Sequence, residues 1–195
     1  MGKSFFHRYF EDYTEEKIPG SDGKMHITRT YRGFWYAPQL TQGQRILRAA
    51  AYLLLKRALK DVYGIDEKPI FEYDEGGKPS LKGHPEIHFN LSHCAKAVAC
   101  VVAHRPVGID VEETCRYKDS LARYAMNDEE YEEITRSDNP ALTFTKLWTM
   151  KEALLKYTGE GLRRDIKTVL NLSPASEVEF YTEVYEGYVV TVFPF

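Results

Sequence analysis

The stretch Ala97–Ala103, AVACVVA, runs for seven residues without a polar break. It is far too short to cross a bilayer as a helix and rich in valine, so it is suited to a buried strand, and a chain containing one must build partners around it. The rest of the sequence supplies candidates. Upstream, Thr41 with Gln44 reads as a capping box, Leu47, Ala51, Leu54, Ala58 and Val62 recur at helical spacing, and Gly64 is placed to end that helix. Phe71–Tyr73 leads into a turn at Asp74–Gly77, and Ile87–Leu91 alternates as a strand does. Near the N-terminus a turn at Pro19–Gly23 precedes a strand over Met25–Thr30.

Downstream, Val107–Val111 is extended. Asn127 followed by Asp128, Glu129 and Glu130 is a helix start, and Asn139-Pro140 opens a second helix, Ala141–Thr158, with Gly159 as its stop. Val178–Tyr185 and Tyr188–Phe193 form a hairpin around Glu186-Gly187. Each half offers helix plus short strands, with no repeat at residue level. This coarse pattern permits an α+β fold with a boundary near His104–Pro106.

Composition narrows the function classes. A formal net charge of -3 argues against a general nucleic-acid binder, so any anion site is built from a few local basic groups. Cys94, Cys100 and Cys115 show no C-x-x-C spacing, which speaks against a disulfide framework or structural zinc and for a reducing compartment. The first residues carry acids and no continuous apolar core, unlike a signal peptide, and no apolar run reaches spanning length. The expectation is a cytoplasmic protein free of membrane.

Three segments could carry chemistry. In Gly108–Glu112, GIDVE, an extended chain puts Asp110 and Glu112 on one face and Ile109 and Val111 on the other. Adjacent carboxylates repel, and a hard cation such as Mg2+ relieves that repulsion; a solvated strand edge is the plainer alternative. In the helix Ala141–Thr158, Phe144, Leu147, Trp148, Leu154 and Leu155 form an apolar arc with Lys151 near its middle. A lysine there must snorkel or find an acidic partner, and a cluster of Asp110, Glu112 and Glu152 would supply one. Glu152 and Lys156 lie one turn apart, a spacing more often seen in exposed pairs of slight value. The third segment is Gly77-Lys78-Pro79 with the strand end Ser92-His93, where a cation, a hydroxyl and an imidazole could meet a phosphate or a base. A zinc reading of His84–His88 fails because Pro85 disrupts the helix such a motif needs, and no spacing supports a Cys94–His93 nucleophile.

In chain order, GKP, FNLSH, GIDVE and WTMKEALLK followed by GEGL resemble the signature series of the phosphopantetheinyl transferase superfamily, in its surfactin-synthetase-activating type. The helix Arg48–Arg57 is similar to that family's N-terminal helix. The resemblance implies a Mg2+-dependent enzyme that moves the phosphopantetheine arm of coenzyme A onto a serine of an apo acyl or peptidyl carrier protein, releasing adenosine 3',5'-bisphosphate. It implies two similar halves, 1–104 and 105–195, related by a pseudo-twofold with coenzyme A between them, and a monomer. Asp110, Glu112 and Glu152 match the metal-binding acids, with Glu152 also deprotonating the serine. Lys156 matches the lysine that reaches the pyrophosphate. His93 and Arg48 match phosphate-holding groups, with Arg45, Arg29 and Arg32 as further candidates, and Lys78, Pro79 and Ser92 match the adenine pocket. Arg116, Lys118, Arg123, Arg163 and Arg164 could meet an acidic carrier. A non-catalytic coenzyme A or carrier-binding module, and a Mg2+-dependent phosphoanhydride hydrolase, are the alternatives.

Overall fold

The computed structural model describes residues 7–19, 25–38, 44–74, 77–159, 165–172 and 180–194, with side chains described from Leu47 onward except those of Cys115 and Leu172. The Thr41 cap, the core of the Pro19–Gly23 turn, the GEGL residues 160–162 and Arg163 and Arg164 lie outside the described residues. So do the side chains of Arg29, Arg32 and Arg45.

Strands β1 (His7–Pro19) and β2 (Met25–Pro38) form a long antiparallel hairpin. Helix α1 (Gln44–Tyr63) follows, then the short antiparallel pair β3 (Phe71–Tyr73) and β4 (Pro79–Leu81). Next come β5 (His88–His93), β6 (Ala97–Ala103) and β7 (Gly108–Glu113). Helices α2 (Asp119–Ala125), α3 (Asp128–Arg136) and α4 (Pro140–Thr158) precede the hairpin β8 (Tyr181–Tyr185) and β9 (Tyr188–Phe193). One antiparallel sheet has the order β1-β2-β6-β5, and another has β7-β9-β8. This is a mixture of helices and antiparallel sheet, as the pattern predicts.

The apolar run behaves as its composition requires: every residue of β6 is buried. Its even-numbered side chains, Val98, Cys100 and Val102, pack with Leu54, Leu55, Ala58 and Leu59 of α1. Its odd-numbered ones, Ala97, Ala99, Val101 and Ala103, pack with Ile109 and Val111 of β7 and Val190 and Val192 of β9. On the far side of the second sheet, Ala153, Leu154 and Leu155 of α4 meet Phe193. The order of layers is therefore α1, first sheet, second sheet, α4.

Local signals account for the helix ends. The Asn127 side chain accepts from Glu130 N–H at 2.8 Å while Glu130 accepts from Asn127 N–H at 2.9 Å, a complete capping box. Asn139 caps α4 through Leu142 N–H, Pro140 takes the first turn, and Gly159 stops it at φ 75°, where a side chain would be strained. The sequence pattern missed β1, α2 and β4, and it gave β2 six residues where the strand has 14.

Burial also fixes the thiols. It pushes Cys94 up to about 11, and raises Cys100 further still. At pH 8 roughly one Cys94 in a thousand is then thiolate. A thiol reagent applied to the folded protein is expected to leave Cys94 and Cys100 unmodified and to label both after denaturation. Peptide mapping that finds Cys94 labelled as fast as a free thiol would contradict this packing.

Candidate functional site

The alternation read in GIDVE is realised in space. Ile109 and Val111 enter the core between the sheets, which leaves Gly108, Asp110 and Glu112 facing α4. Gly108 is where strand and helix come closest: a Cβ there would stand 2.0 Å from the Ala153 carbonyl oxygen and 2.7 Å from the Tyr157 nitrogen. Only glycine permits that approach, and it sets Asp110 beside the helix turns that carry Glu152 and Lys156.

Three elements meet at Asp110. Ser92 Oγ, at the end of β5, donates to Asp110 Oδ1 at 2.8 Å, and Lys156 Nζ from α4 donates to the same oxygen at 2.7 Å. Lys156 Nζ also donates to Ser92 Oγ at 2.9 Å and to the Ile109 carbonyl at 3.0 Å, while Ser92 Oγ accepts from Val111 N–H at 3.2 Å. Beside them Asn90 Oδ1 accepts from Ile109 N–H, a second tie from β5 to β7. The other carboxylate oxygen, Asp110 Oδ2, is buried and has no hydrogen-bond partner among the described residues. A buried anion oxygen left bare is costly, so this atom is ready for a cationic ligand.

Glu112 and Glu152 flank it. Burial raises the Glu152 carboxyl above the ordinary range, and the charges of Asp110 and Glu112 add to this while Lys156 opposes it. Burial likewise raises Glu112; Arg116 opposes, and Asp110 adds to the rise. Glu112 Oε2 accepts from Arg116 Nη1 at 2.7 Å, and Oε1 accepts from Glu113 N–H at 3.2 Å. Glu152 thus feels the charge of Asp110 and Glu112, yet among the described residues no three His, Cys, Asp or Glu side chains gather closely enough to hold a metal. The donor chemistry nevertheless fits a hard divalent cation: carboxylate oxygens only, mutual repulsion, and one bare oxygen.

The other candidates are distributed as follows. Lys78 Nζ donates to the Lys156 and Tyr157 carbonyls at 2.9 and 3.1 Å, closing the C-terminus of α4, and burial lowers its pKa. Pro79 begins β4, half-buried opposite Tyr73. His93 is exposed at the end of β5, one residue beyond Ser92. Arg48 is exposed on α1, and among the described residues no hydrogen bond or ion pair joins it to the Asp110 group. The structure therefore joins Ser92, Asp110 and Lys156 by hydrogen bonds, with Lys78 bonded to the same helix end, while Glu152 and Glu112 lie within electrostatic reach of Asp110.

Two expectations need correction. Lys151 does not draw on Asp110, Glu112 or Glu152. It is fully buried and pairs with Glu130 of α3 at 2.7 Å, donating also to the Ala125 and Ile166 carbonyls. It points into the cluster between α2, α3 and α4, away from the carboxylates. Nor do Glu152 and Lys156 form an exposed pair, because Lys156 turns inward to Asp110. The sequence pattern reads Glu130 only as part of a helix start and Arg116 as a candidate contact for an acidic carrier, not as a partner of Glu112. The spacing of Arg116, four residues after Glu112, was the available signal for the second.

Comparison with known proteins places these residues in a family context. Residues 106–191 match the profile of the 4'-phosphopantetheinyl transferase superfamily. Over 113 residues the chain is 34% identical to 4'-phosphopantetheinyl transferase Sfp of Bacillus subtilis (strain 168), covering 56% of this chain and 50% of that protein. It is 31% identical over 151 residues to 4'-phosphopantetheinyl transferase gsp of Aneurinibacillus migulanus, covering 70% of this chain and 63% of that one. With 4'-phosphopantetheinyl transferase HetI of Nostoc sp. the figures are 32% over 139 residues, 66% and 58%. The chain spans about half the length of the curated relatives it matches.

Proposed function

We propose that the chain is a member of the 4'-phosphopantetheinyl transferase superfamily, whose profile residues 106–191 match, and that it transfers the phosphopantetheine group of coenzyme A to a serine hydroxyl of an apo carrier protein. The observation that carries this is the Asp110–Ser92–Lys156 group, with its bare Oδ2, set beside Glu152.

Asp110, Glu112 and Glu152 are the residues that would hold Mg2+. A hard cation held there would supply charge neutralisation for the pyrophosphate and orientation for the leaving group. The chain's own residues account for the remainder. Serine is a poor nucleophile until a base takes its proton. Glu152, whose environment makes it more basic than an ordinary carboxylate, takes the proton from the serine Oγ. The Oγ–phosphorus bond forms as the pyrophosphate P–O bond breaks, and the electron pair leaves with adenosine 3',5'-bisphosphate. Lys156 Nζ, whose three N–H bonds serve Asp110 Oδ1, Ser92 Oγ and the Ile109 carbonyl, would exchange one of them to donate to the departing phosphate oxygens. Lys78, Pro79, Ser92, His93 and Arg48 serve the nucleotide and its phosphates. Lys78 would have to shift from the α4 carbonyls, or act from where it stands.

The halves 1–104 and 105–195 are taken as related by a pseudo-twofold, with coenzyme A between them. In support, each sets a long helix against an antiparallel sheet. A cavity of about 610 Å³ lined by Arg116, Lys118, Ser120, Leu121 and Tyr124 suits an acidic carrier with an apolar patch. No helix of the described residues is long and apolar enough to cross a membrane, which is compatible with work in the cytoplasm.

The test is incubation with an apo carrier, Mg2+ and labelled coenzyme A. Gain of carrier mass by the phosphopantetheine group is expected, and Glu152→Ala is expected to lose at least about 100-fold in transfer rate, equivalent to ~2.7 kcal/mol of barrier. Coenzyme A cleavage without carrier labelling would favour a hydrolase instead. Binding of coenzyme A without turnover would favour a non-catalytic module.

A further inference from the structure

The first sheet ends at β5 and the second at β7, and side chains stitch these two edges together. Asn90 and Ser92, two residues apart and so on one face of β5, accept the Ile109 and Val111 N–H groups, each at 3.2 Å. Ser92 is engaged further. Its Oγ also accepts from Lys156 Nζ at 2.9 Å and donates to Asp110 Oδ1 at 2.8 Å. A hydroxyl has one proton to give and two lone pairs to share, and Ser92 uses all three. With 8% of the residue exposed, it offers a nucleotide neither a free hydrogen-bonding position nor an open face. Lys156 stands differently: 26% of its side chain is in solvent, and its ammonium gives one N–H each to Ser92, the Ile109 carbonyl and Asp110.

We propose that Ser92 is a positioning residue, which contacts no part of coenzyme A and serves the pyrophosphate through Lys156. Its hydroxyl and the Ile109 carbonyl hold two of the ammonium's N–H groups in the seam between the sheets, so a phosphate oxygen displaces only the bond to Asp110. This rests on the transfer reading above and narrows the part given there to Ser92. A lysine free of such ties would lose rotamer freedom on each binding event, and an ammonium already fixed avoids that cost.

Coenzyme A is titrated calorimetrically into each variant at one fixed Mg2+ concentration. Ser92→Ala is expected to bind it roughly tenfold more weakly than the unaltered protein, the scale of one hydrogen bond to a charged group. In a Lys156→Ala background the same change is expected to weaken binding by less than about twofold, because the side chain through which Ser92 acts is gone. The loss recurs undiminished with 3'-dephospho-coenzyme A, which keeps the pyrophosphate. Ser92→Thr, which keeps the hydroxyl, stays within about threefold of the unaltered protein. Asn90→Ala, which removes the neighbouring stitch without touching Lys156, shifts affinity by less than about twofold. If Ser92→Ala does not fold, Ser92→Cys, whose thiol is a weak acceptor, takes its place in the cycle. A loss that keeps its full size in Lys156→Ala, or that vanishes with 3'-dephospho-coenzyme A, means that Ser92 meets the nucleotide itself and overturns the inference. An equal loss in Asn90→Ala, or none in Ser92→Ala, overturns it too, and all four results leave the transfer reading intact. Protein that binds coenzyme A but labels no carrier removes the transfer reading while the cycle still decides the inference, and protein that binds no coenzyme A removes both.

Discussion

Gly108→Ala is expected to prevent the native fold or to cost about 3 kcal/mol or more, above the usual range for an added methyl group in a packed core. The new Cβ would lie 2.0 Å from the Ala153 carbonyl oxygen and 2.7 Å from the Tyr157 nitrogen, both backbone atoms inside α4. A flexible side chain could swing aside, but these atoms cannot move without the helix. The helix is fixed in turn by Phe193 and Val169 packed against Ala153, Leu154 and Leu155. Any molecules that do fold should have α4 displaced from β7, with Glu152 and Lys156 drawn off Asp110, so transfer should fall even where helix content survives. Circular dichroism melting and carrier labelling read the two effects separately. A melting temperature within about 2 °C of the unaltered protein would mean that strand and helix do not touch at this point.

Lys151→Ala carries the second large effect. Lys151 is completely enclosed, and its ammonium group serves Glu130 at 2.7 Å as well as carbonyls from residues 125 and 166. Burial lowers the lysine's pKa, and the ion pair with Glu130 works against that. Truncation leaves the Glu130 carboxylate enclosed with the Asn127 N–H as its remaining donor among the described residues. Breaking a buried pair by removing one partner costs roughly 3–5 kcal/mol. For a domain of this size that is a fall of roughly 6 to 20 °C in melting temperature. The double variant Lys151→Met with Glu130→Gln should recover most of the loss, since it removes both charges and keeps an acceptor for the cap. If Lys151→Ala alone melts like the unaltered protein, the pair contributes nothing and α4 is held by its apolar contacts.

These two positions show how far sequence reasoning reached. The alternation of Gly108 to Glu112 and the caps at Asn127, Asn139 and Gly159 are local rules, and local rules were legible. So was the apolar run that became β6. Lys151 was recognised as anomalous on an apolar arc, but its partner was assigned to the wrong cluster. Helical spacing gives an angle around one helix and says nothing about which neighbouring element fills that side. The β1–β2 hairpin escaped because its strands mix aromatic, charged and polar residues without clean alternation. The three short acid-bearing and lysine-bearing segments could be placed in one site only through resemblance. Their convergence depends on Gly108 meeting Ala153 and on Ser92 crossing from β5, contacts that no window of sequence contains. Arg116 over Glu112 was within reach of a local rule, four residues apart, and was overlooked because the turn between them breaks the strand.

The pairing of β7 bears on how the protein is made. Asp110 and Glu112 lie on a strand whose only sheet neighbour among the described residues is β9, joining Gly108 to Phe193 and Glu113 to Tyr188. On a ribosome the acids emerge early, while the strand that must lie against them is still untranslated. Closing so long an intervening loop is an entropic toll met only once residues 188–193 appear. The acidic pair is therefore assembled late in biogenesis, and a nascent chain stalled before Tyr188 would display its two neighbouring carboxylates on an unpaired strand.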